Sequence, residues 1–480
     1  METNKYFLLI DVGTGSSRVG LAKSNGEIID IEDVSNEYQE DSFGGTTIEA
    51  SKFFQRLEEI SQKLLNRHKV PISAITVSGA RQTFFLVNRA KKLICGIPNI
   101  DNRGARFTGD FVNVSNQIMD STARDISADF LAMKLVGLKH DHPDIFKDAY
   151  SFTSLSEVFA LIFSNQLVIE PSQAVETQLF DVYDKKWDPK MLEVFELGGL
   201  AMPDLVSAGT ALIIQNTDAL RKYGITNSDC EFIVGGADTQ LAMKAITSKT
   251  DSKTMYLVSG TTSPVCVRSE SPEKYKESWL DLDLGGKAYV LEFNPGVTGL
   301  NYERAKRLLA ADSSYFSIEE TIHLENKPSV MASLTTQSFL PASGSEKKGG
   351  IFLSPPLSSS VQSHDLVAAV VYDIGFAISK KVMQLHKDTN RDYETIVACG
   401  GGMQSEIIPQ IVADLTHKSV VIYKEYAQPS LMGCYTVISE SLHGNVEPKT
   451  HVVDREYVPQ QNETLMHAFE VWNEVGKALN

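Results

Sequence analysis

The chain contains one short pattern twice: an apolar strand, a turn made of Gly, Thr and Ser, and a second strand. The first copy consists of residues 6–10, 13–17 and 18–23, and the second consists of residues 255–259, 260–263 and 265–268. Short apolar runs rich in β-forming residues predict buried strands. Although the repetition is short, it is the pattern expected of two halves that share one architecture.

Strand and helix patterns alternate through both halves. Apolar residues spaced on one face predict helices at residues 46–67, 156–164, 189–197, 365–388 and 405–415. Short apolar runs predict further strands at residues 27–31, 75–78, 84–88, 232–234, 395–399 and 419–423. Residues 342–363 are rich in Ser, Gly and Pro, which predicts a loop. The alternation indicates an α/β fold, and 480 residues are enough for two domains.

Composition narrows the classes of partner. The formal net charge of −16 disfavours nucleic acid or an anionic membrane as the main partner. It does not exclude ATP, because a local nest of backbone N–H groups binds phosphate inside an acidic protein. Five scattered cysteines without C-x-x-C spacing indicate reduced thiols. With neither a signal-peptide pattern nor a long apolar run, the sequence predicts a soluble, cytoplasmic protein.

The first turn follows a carboxylate at the end of a strand. That carboxylate is Asp11, and the turn is built from Gly13, Thr14, Gly15, Ser16 and Ser17. Glycines let an anion approach the backbone, and hydroxyls add donors, so this pattern favours a phosphate-binding nest. Asp11 at its edge would hold Mg²⁺ through water. A plain hairpin turn with a surface aspartate fits the same residues equally well.

Two glycine turns in the second half suggest a matching grip. Gly260, Thr261 and Thr262 would form a second nest, so that two loops hold opposite sides of a phosphate chain. Residues 400–402 are three glycines before a predicted helix, which let a flat base or a phosphate approach the backbone. Taken alone, each fits a plain turn. The chain lacks G-x-x-x-x-G-K-[ST], which excludes a P-loop mechanism.

Asp238 follows a predicted strand and a pair of glycines. A carboxylate in this place can project into a cleft, where phosphoryl transfer to a hydroxyl needs a base and Mg²⁺. The alternative is an aspartate that caps a helix beginning at Thr239, and for this motif alone that alternative is favoured.

A polar stretch in the first half offers groups for binding a polyol. Arg81, Gln82, Asp101 and Arg103 stand between short predicted strands. Charged side chains of this kind bind vicinal hydroxyls through charge-assisted hydrogen bonds. The alternative is an ordinary surface ion pair, which these residues alone favour.

Six segments in this order resemble the FGGY family of carbohydrate kinases, within the superfamily that shares an ATPase core with actin and hexokinase. They are LLIDVGTGSSRVGLA, ITVSGARQTFFLVN with PNIDNRGAR, the stretch from residue 154 to residue 187, VGGADTQLA, YLVSGTTSPV, and VACGGGMQSEIIPQIVADLTHKSVVI. The resemblance covers residues 5 to 440. It implies two actin-like ATPase (ribonuclease H-like) α/β domains on either side of a deep catalytic cleft.

The resemblance also implies domain bounds and a reaction. Residues 1–245 would form the sugar-binding domain, 246–445 the nucleotide-binding domain, and 446–480 a C-terminal extension. The implied reaction transfers the γ-phosphate of ATP, with Mg²⁺, to a hydroxyl of a small sugar, a polyol or a sugar-like molecule. A homodimer is a possible assembly of such an enzyme, and neither nucleic acid nor membrane is an expected partner.

The resemblance assigns roles to individual residues. Asp238 stands where the family has its base, which also faces the substrate and the metal, and Asp11 where it has the Mg²⁺-linked carboxylate. The residues matched to nucleotide contacts are Gly13, Thr14, Gly15, Ser16, Ser17, Gly260, Thr261, Thr262, Gly401, Gly402 and Met403. The residues matched to sugar contacts are Arg81, Gln82 and Asp101.

The sugar-side residues depart from the common family patterns. Ala80-Arg81-Gln82 stands where pentulose kinases show a Gln-Met-His type stretch and glycerol kinases show Arg-Glu, and Asn99 replaces a usual tryptophan. These departures put xylulose, ribulose and glycerol in doubt as substrates, and N-I-D-N-R-G-A-R looks more like the branch that phosphorylates autoinducer-2. Two alternatives stay open: a catalytically degenerate sensor of sugar or nucleotide, and an actin-like ATPase without a sugar substrate.

Overall fold

A computed structural model describes residues 5–247, 253–335, 349–444 and 451–478. The strands of the first half are β1 (Tyr6–Val12), β2 (Ser16–Lys23), β3 (Ile28–Ser35), β4 (Gln39–Glu40), β5 (Thr46–Thr47), β6 (Ile72–Gly79), β7 (Phe84–Val87), β8 (Leu93–Ile97), β9 (Ser151–Ser154), β10 (Val168–Ile169), β11 (Phe180–Asp181), β12 (Lys186–Trp187), β13 (Asp204–Leu205), β14 (Ala211–Ile213) and β15 (Glu231–Ala237). The helices are α1 (Ala50–His68), α2 (Ser115–Thr122), α3 (Leu131–Asp141), α4 (Pro143–Asp148), α5 (Val158–Ser164), α6 (Pro171–Ala174), α7 (Pro189–Val194), α8 (Thr217–Lys222) and α9 (Asp238–Ile246).

The second half continues the numbering. Its strands are β16 (Thr254–Val258), β17 (Val265–Ser269), β18 (Trp279–Leu282), β19 (Tyr289–Phe293), β20 (Val330–Ser333), β21 (Gly350–Leu353), β22 (Thr395–Cys399), β23 (Ser419–Tyr423) and β24 (Val453–Tyr457). Its helices are α10 (Gly299–Leu309), α11 (Tyr315–Glu319), α12 (Ser363–Thr389), α13 (Ile407–Thr416), α14 (Pro429–His443) and α15 (Glu463–Ala478).

Two large sheets repeat one topology. The first has the order β14-β15-β6-β1-β2-β3, in which β1, β6 and β15 are parallel and the others antiparallel. The second has the order β18-β19-β17-β16-β22-β23-β24, in which β16, β22 and β23 are parallel. Each sheet thus joins an antiparallel meander to parallel strands, and the predicted repetition of one architecture is confirmed.

Helix α14 packs across the boundary between the halves. Although its residues follow the second sheet in sequence, Leu431, Cys434 and Ile438 pack in a core cluster with Phe7 and Leu9 of β1. Helix α14 also lies against α9, the helix that leaves the first sheet. The two sheets are therefore joined by a pair of helices, and packing does not stop at the predicted division between residues 245 and 246.

Two predicted elements differ from the observed ones. The helix predicted at residues 46–67 begins at Ala50, because Thr46–Thr47 instead pairs with Gln39–Glu40. The loop predicted at residues 342–363 is wrong in part: β21 pairs with β20, and α12 already begins at Ser363, while residues 342–348 lie outside the described residues.

The C-terminal extension is built into the second domain. Strand β24 pairs with β23 at the edge of the second sheet, and Trp472 of α15 is buried in the core of that domain. The indole nitrogen of Trp472 donates to Asp373 Oδ1 at 2.8 Å. Helix α15 is therefore docked onto the second domain through Trp472. Within the described part of the chain, no helix has the length and apolar character needed to cross a membrane.

We expect Trp472→Phe to destabilise the second domain by about 1.5–3 kcal/mol, the usual value of a hydrogen bond to a charged group. Burial raises the pKa of Asp373 to about 6, so the carboxylate is charged at neutral pH and loses a donor in this variant. The measurement is chemical denaturation at neutral pH followed by circular dichroism.

The matched control is Trp187→Phe. The indole nitrogen of Trp187 donates at 2.8 Å to a neutral acceptor, the carbonyl oxygen of Pro203. Its loss should cost about 1 kcal/mol. Equal losses in the two variants would contradict the role assigned to the charge of Asp373.

Candidate functional site

Three parallel strands bring the candidate carboxylates to one edge of the first sheet. Asp11 of β1 lies opposite Ser78 of β6, and Ser78 lies opposite Gly236 of β15. The hydroxyl of Ser78 donates to Asp11 Oδ1 at 2.8 Å. Ligands in open α/β sheets bind outside the carboxyl ends of the strands, so this edge is the expected place for a site.

A bulge sets the direction in which Asp238 leaves the sheet. The register of β15 against β6 shifts between Ile233 and Gly236, which bends the end of the strand. Asp238 is then the first residue of α9, and its Oδ1 accepts from the backbone nitrogen of Thr239 at 2.8 Å. The helix therefore begins one residue earlier than the capping alternative stated, with Ala237 and not Asp238 at the N-cap position. This position puts the carboxylate at the sheet edge, where it is influenced by the charge of Asp11.

Burial raises the pKa of both carboxyl groups. The pKa of Asp238 is raised to about 6, chiefly by burial; the charge of Arg81 lowers it and the charge of Asp11 raises it. Burial likewise raises the pKa of Asp11, against the hydrogen bond from Ser78 and the charge of Arg18. The pKa of Asp238 thus lies close to the range in which enzymes use a carboxylate as a general base.

A divalent cation would suit this pair. Asp11 and Asp238 supply oxygen donors, and burial disfavours the ionised form of each, a cost that a bound cation would relieve. The described residues contain no group of three or more His, Cys, Asp or Glu side chains that could hold a metal alone. Mg²⁺ fits such a sparse set, because it is commonly held by one or two carboxylates together with substrate phosphates.

The first glycine turn lies at the tip of the hairpin between β1 and β2. The backbone nitrogen of Gly13 donates to the carbonyl oxygen of Ser16 at 3.0 Å. A Cβ atom built on Gly15 would meet no atom within 4 Å, so this backbone borders open space. The hydroxyl of Thr14 accepts from Asn99 at 2.7 Å and keeps its own proton for another partner. Gly13, Thr14 and Gly15, together with partly exposed Ser16, remain compatible with phosphate contact.

Ser17 does not fit the predicted phosphate contact. It is completely buried in β2, and its hydroxyl donates to Asn36 Oδ1 at 2.6 Å. Asn36 in turn donates to the carbonyl oxygen of Gly13 at 2.8 Å. We therefore correct the assignment: Ser17 supports the turn from beneath.

The two glycine turns of the second half lie side by side, at the carboxyl ends of β16 and β22. The backbone nitrogen of Gly260 donates to the carbonyl oxygen of Thr262 at 2.8 Å, and that of Gly402 donates to the carbonyl oxygen of Ser259 at 3.0 Å. A Cβ atom on Gly402 would lie 2.1 Å from Ser259 Oγ, whereas one on Gly260 or Gly401 would meet nothing within 4 Å. One face of this pair is thus close-packed and the other is open. Thr261 and Thr262, both partly exposed, complete the open turn.

Met403 also needs correction. Its side chain is completely buried in the core of the second domain, and its carbonyl oxygen accepts from Arg455 at 2.7 Å. The side chain therefore anchors the glycine turn from below and does not face the open side.

The sugar-side residues lie in a buried cluster of charges that the sequence did not reveal. Arg81 donates to both oxygens of Glu292 at 2.7 and 3.1 Å and lies 3.4 Å from Asp281 and 3.6 Å from Glu176. A second buried cation, Arg124, donates to Glu176 at 2.9 Å and also pairs with Asp281. Because Asp281 and Glu292 belong to β18 and β19, Arg81 binds the first domain to the second.

Gln82 is held in a backbone conformation that is uncommon outside glycine. Its φ is +62°, its amide nitrogen donates to Glu176 at 2.9 Å, and its carbonyl oxygen accepts from buried Lys134 at 2.9 Å. Such conformations persist where surrounding contacts enforce them, and they cluster at functional sites. Arg81, Gln82 and Asp238 are therefore brought together, with Glu176 as an unpredicted member.

Asp101 is less available than predicted. Its two oxygens accept from the backbone nitrogen of Thr46 and from Arg103 Nε, each at 2.7 Å, and the side chains of Asp101 and Arg103 are fully buried. The ion-pair alternative describes this residue better, although the pair is buried and not on the surface. We now assign Asp101 to holding the loop that leads to Asn99.

Two of the charged residues that the sequence analysis did not identify could have been noticed from their position in apolar strands. Asp281 and Glu292 interrupt apolar strands that are buried on both faces, where an ionised side chain needs a partner. The sequence offers no means of pairing them with Arg81 and Arg124. A cavity of about 640 Å³ lined by Arg89, Lys147 and Tyr150 lies apart from all these residues.

Comparison with known proteins places this geometry in a family. A model of the N-terminal domain of the FGGY family of carbohydrate kinases matches residues 6–244, and a model of its C-terminal domain matches residues 340–437. The putative sugar kinase YoaC of Bacillus subtilis (strain 168) is 30% identical over 99% of this chain and 97% of that protein. The chain belongs to the FGGY family of carbohydrate kinases. It is therefore an ATP-dependent phosphotransferase with an alcohol group as acceptor.

Other relatives confirm the fold of this FGGY kinase. The gluconate kinase from Lactobacillus acidophilus has a TM-score of 0.83 at 20% identity and covers 99% of this chain and 98% of that one. The Plasmodium falciparum glycerol kinase with ADP has a TM-score of 0.81 at 17% identity over the same shares. An autoinducer-2 kinase of Escherichia coli (strain K12) is 26% identical over 50% of this chain and 47% of that protein. The predicted two-domain, actin-like α/β fold is confirmed.

The open side of the glycine turns generates a test. We expect Gly401→Ala in this FGGY kinase to leave the melting temperature unchanged and to raise the KM for ATP by roughly threefold to tenfold, up to about 1.4 kcal/mol of lost binding. The new methyl group would have no protein neighbour and would meet only an approaching nucleotide.

Gly109→Ala is the matched control, because Gly109 also lies in a 3-10 helix and has open space beside it. Melting temperature and KM for ATP are measured for both variants. An unchanged KM in Gly401→Ala would remove this turn from the nucleotide site.

Proposed function

We propose that this FGGY kinase transfers the γ-phosphoryl group of ATP to a hydroxyl of a small neutral sugar or polyol, with Asp238 as general base. One observation carries the proposal. Asp238 lies beside Asp11 at the carboxyl edge of parallel strands, within reach of Arg81. The glycine turns at residues 13–15 and 260–262, each with backbone that borders open space, add the phosphate-binding groups that phosphoryl transfer requires.

Each group then has a task. Asp238, ionised above its pKa of about 6, accepts the proton of the attacking hydroxyl. The backbone N–H groups of the glycine turns at residues 13–15 and 260–262 hold the phosphates from opposite sides. Asp11 and Asp238 would hold Mg²⁺, which when bound spreads the charge that develops on the transferring group.

Contacts between the domains supply the exclusion of water. Arg81 reaches Glu292 of the second sheet, and it lowers the pKa of Asp238 in the first. The ion pair therefore holds the domains together and keeps the base ionised. A closed site of this kind strengthens every charge interaction inside it.

The charge of the site favours a neutral acceptor. Around Asp238, the four cations Arg18, Arg81, Arg124 and Lys134 face five carboxylates, those of Asp11, Glu176, Asp238, Asp281 and Glu292, which leaves an excess of negative charge. The resemblance to an autoinducer-2 kinase over half of the chain supports including that molecule among the candidates. Cytoplasmic location and a homodimer stay predictions from the sequence.

The test of this function is ADP release with ATP and Mg²⁺ across pentuloses, hexuloses, polyols, sugar acids and autoinducer-2. We expect one neutral acceptor to stand out, and Asp238→Asn to lower its kcat by about 10²–10⁴-fold, the usual contribution of a general base. Ligand-induced thermal shifts should persist in the variant.

Asp218→Asn is the control, because Asp218 is also in the first turn of a helix of the first domain but lies at the surface. Its kcat should equal that of the wild type. If Asp238→Asn retains full turnover, or if neither protein responds to any acceptor while both bind ATP, the kinase assignment through Asp238 fails.

The charge argument makes a separate prediction. The acid derivative of the preferred sugar or polyol, with the same carbon skeleton, should have a kcat/KM at least about tenfold lower, since like charges disfavour each other by a kcal/mol or more in a buried site. Both are assayed at neutral pH under the same Mg²⁺ concentration. Equal kcat/KM values for the two compounds would contradict the proposed preference.

A further inference from the structure

Strand β15, which leads to Asp238, has hydrogen bonds at its carboxyl end that the proposed chemistry does not use. The backbone nitrogen of Ala237 donates to Ser172 Oγ at 3.1 Å. The hydroxyl of Ser172 donates in turn to Glu170 Oε2, which also accepts from the backbone nitrogen of Ser172 at 2.7 Å. Glu170, Ser172 and Ala237 are all fully buried. A carboxylate is thus connected, through one hydroxyl, to the residue directly before Asp238.

The other oxygen of Glu170 reaches the second domain. Glu170 Oε1 accepts from the backbone nitrogen of Gly285 at 2.6 Å. Gly285 lies in the turn between β18 and β19, the two strands that also supply Asp281 and Glu292. Glu170 therefore bonds with one oxygen to the strand end of Asp238 and with the other to the opposite domain.

The end of β15 is packed closely against Glu170, Ser172 and the β18–β19 turn. Gly236 has a φ of +151°, and a Cβ atom on it would lie 2.7 Å from Leu284 Cδ2 and 3.1 Å from both Glu170 Oε2 and Ser172 Oγ. The end of β15 thus rests directly on the Glu170–Ser172 pair and on the turn from the second domain. A shift of that turn would be passed to the backbone that aims Asp238.

We propose that Glu170 and Ser172 are positioning residues for Asp238, which fix the amide of Ala237 only when the β18–β19 turn is seated against Glu170. The inference rests on the proposed function, because it takes Asp238 as the base. It follows that Asp238 reaches its working orientation only when the second domain is in contact with Glu170. A displacement of about 1 Å in such a group is enough to cost about 10²-fold in rate.

Ser172→Ala tests the hydrogen bonds that connect Glu170 to the backbone just before Asp238. It should lower kcat by roughly 10–100-fold while the KM values for ATP and acceptor change by less than about threefold, because misaim of a base affects chemistry and not binding. Ser164→Ala is the control, since Ser164 is also a buried serine of the first domain and its hydroxyl has no hydrogen-bond partner.

Glu170→Gln tests whether Glu170 must accept from both Ser172 and Gly285. It has nearly the same shape, but its amide group cannot accept at both positions, so the bond from Ser172 or from Gly285 is lost. We expect a similar fall in kcat. Residues that act in one chain are not additive, so Glu170→Gln combined with Ser172→Ala should lose little more than either alone.

The outcomes separate this inference from the proposed function. A wild-type kcat in folded Ser172→Ala or Glu170→Gln, with Asp238→Asn inactive, overturns the positioning role alone. A lowered melting temperature with unchanged kcat also overturns it, because that is the result of a purely structural contact. Full activity in Asp238→Asn overturns the proposed base instead. If Ser172→Ala does not fold, Glu170→Gln decides.

Discussion

The burial of Asp11 and Asp238 next to each other is the constraint on which the site depends. Burial raises the pKa of both carboxyl groups, and the charge of Asp11 adds to the shift of Asp238. The surroundings compensate in part through the hydroxyl of Ser78 and the charge of Arg81. The remaining excess of negative charge is what a bound cation and its phosphates would balance. The proposed base and the residues proposed to hold Mg²⁺ therefore form one electrostatic unit.

The same unit reaches across the two domains. Arg81 pairs with Glu292, and Glu170 accepts from Gly285, so both contacts end on the β18–β19 hairpin of the second sheet. Buried ion pairs contribute little net stability, but removing one partner leaves an uncompensated charge. Their value here lies in geometry, because both contacts fix the same hairpin of the second sheet against the first domain. The proposed base and the charged residues around it therefore depend on one interface.

Local sequence predicted the parts of the site that depend on local structure. The glycine turns and the strands at residues 395–399 and 419–423 follow from short-range patterns, because turns and apolar strands are specified by neighbouring residues. Met403 and Ser17 adjoin these turns, but both side chains point into the protein interior. Ser17 does so in strand β2 and Met403 in a short 3-10 helix, and their positions in the sequence do not distinguish the interior from the open face.

The long-range part of the site could not be predicted. Arg81 and Glu292 are far apart in sequence and meet only because the edge of one sheet packs on the other. Residue type indicated that buried Asp281 and Glu292 need partners, but not which ones. Asp101 shows the converse, since an exposed-looking polar stretch folds into a buried pair with Arg103. Charge pairing is a property of the tertiary fold, and it cannot be deduced from a single amino-acid sequence.

The most direct test is the stoichiometry of ADP and phosphorylated product formed by the wild-type enzyme with its preferred acceptor. ADP is measured by a coupled assay and the product by mass spectrometry. The account predicts one phosphorylated acceptor for each ADP, and almost no ADP when the acceptor is left out. Steady ADP formation without acceptor, and without any phosphorylated product, would show an ATPase and contradict the assignment of Asp238 as the base for a sugar hydroxyl.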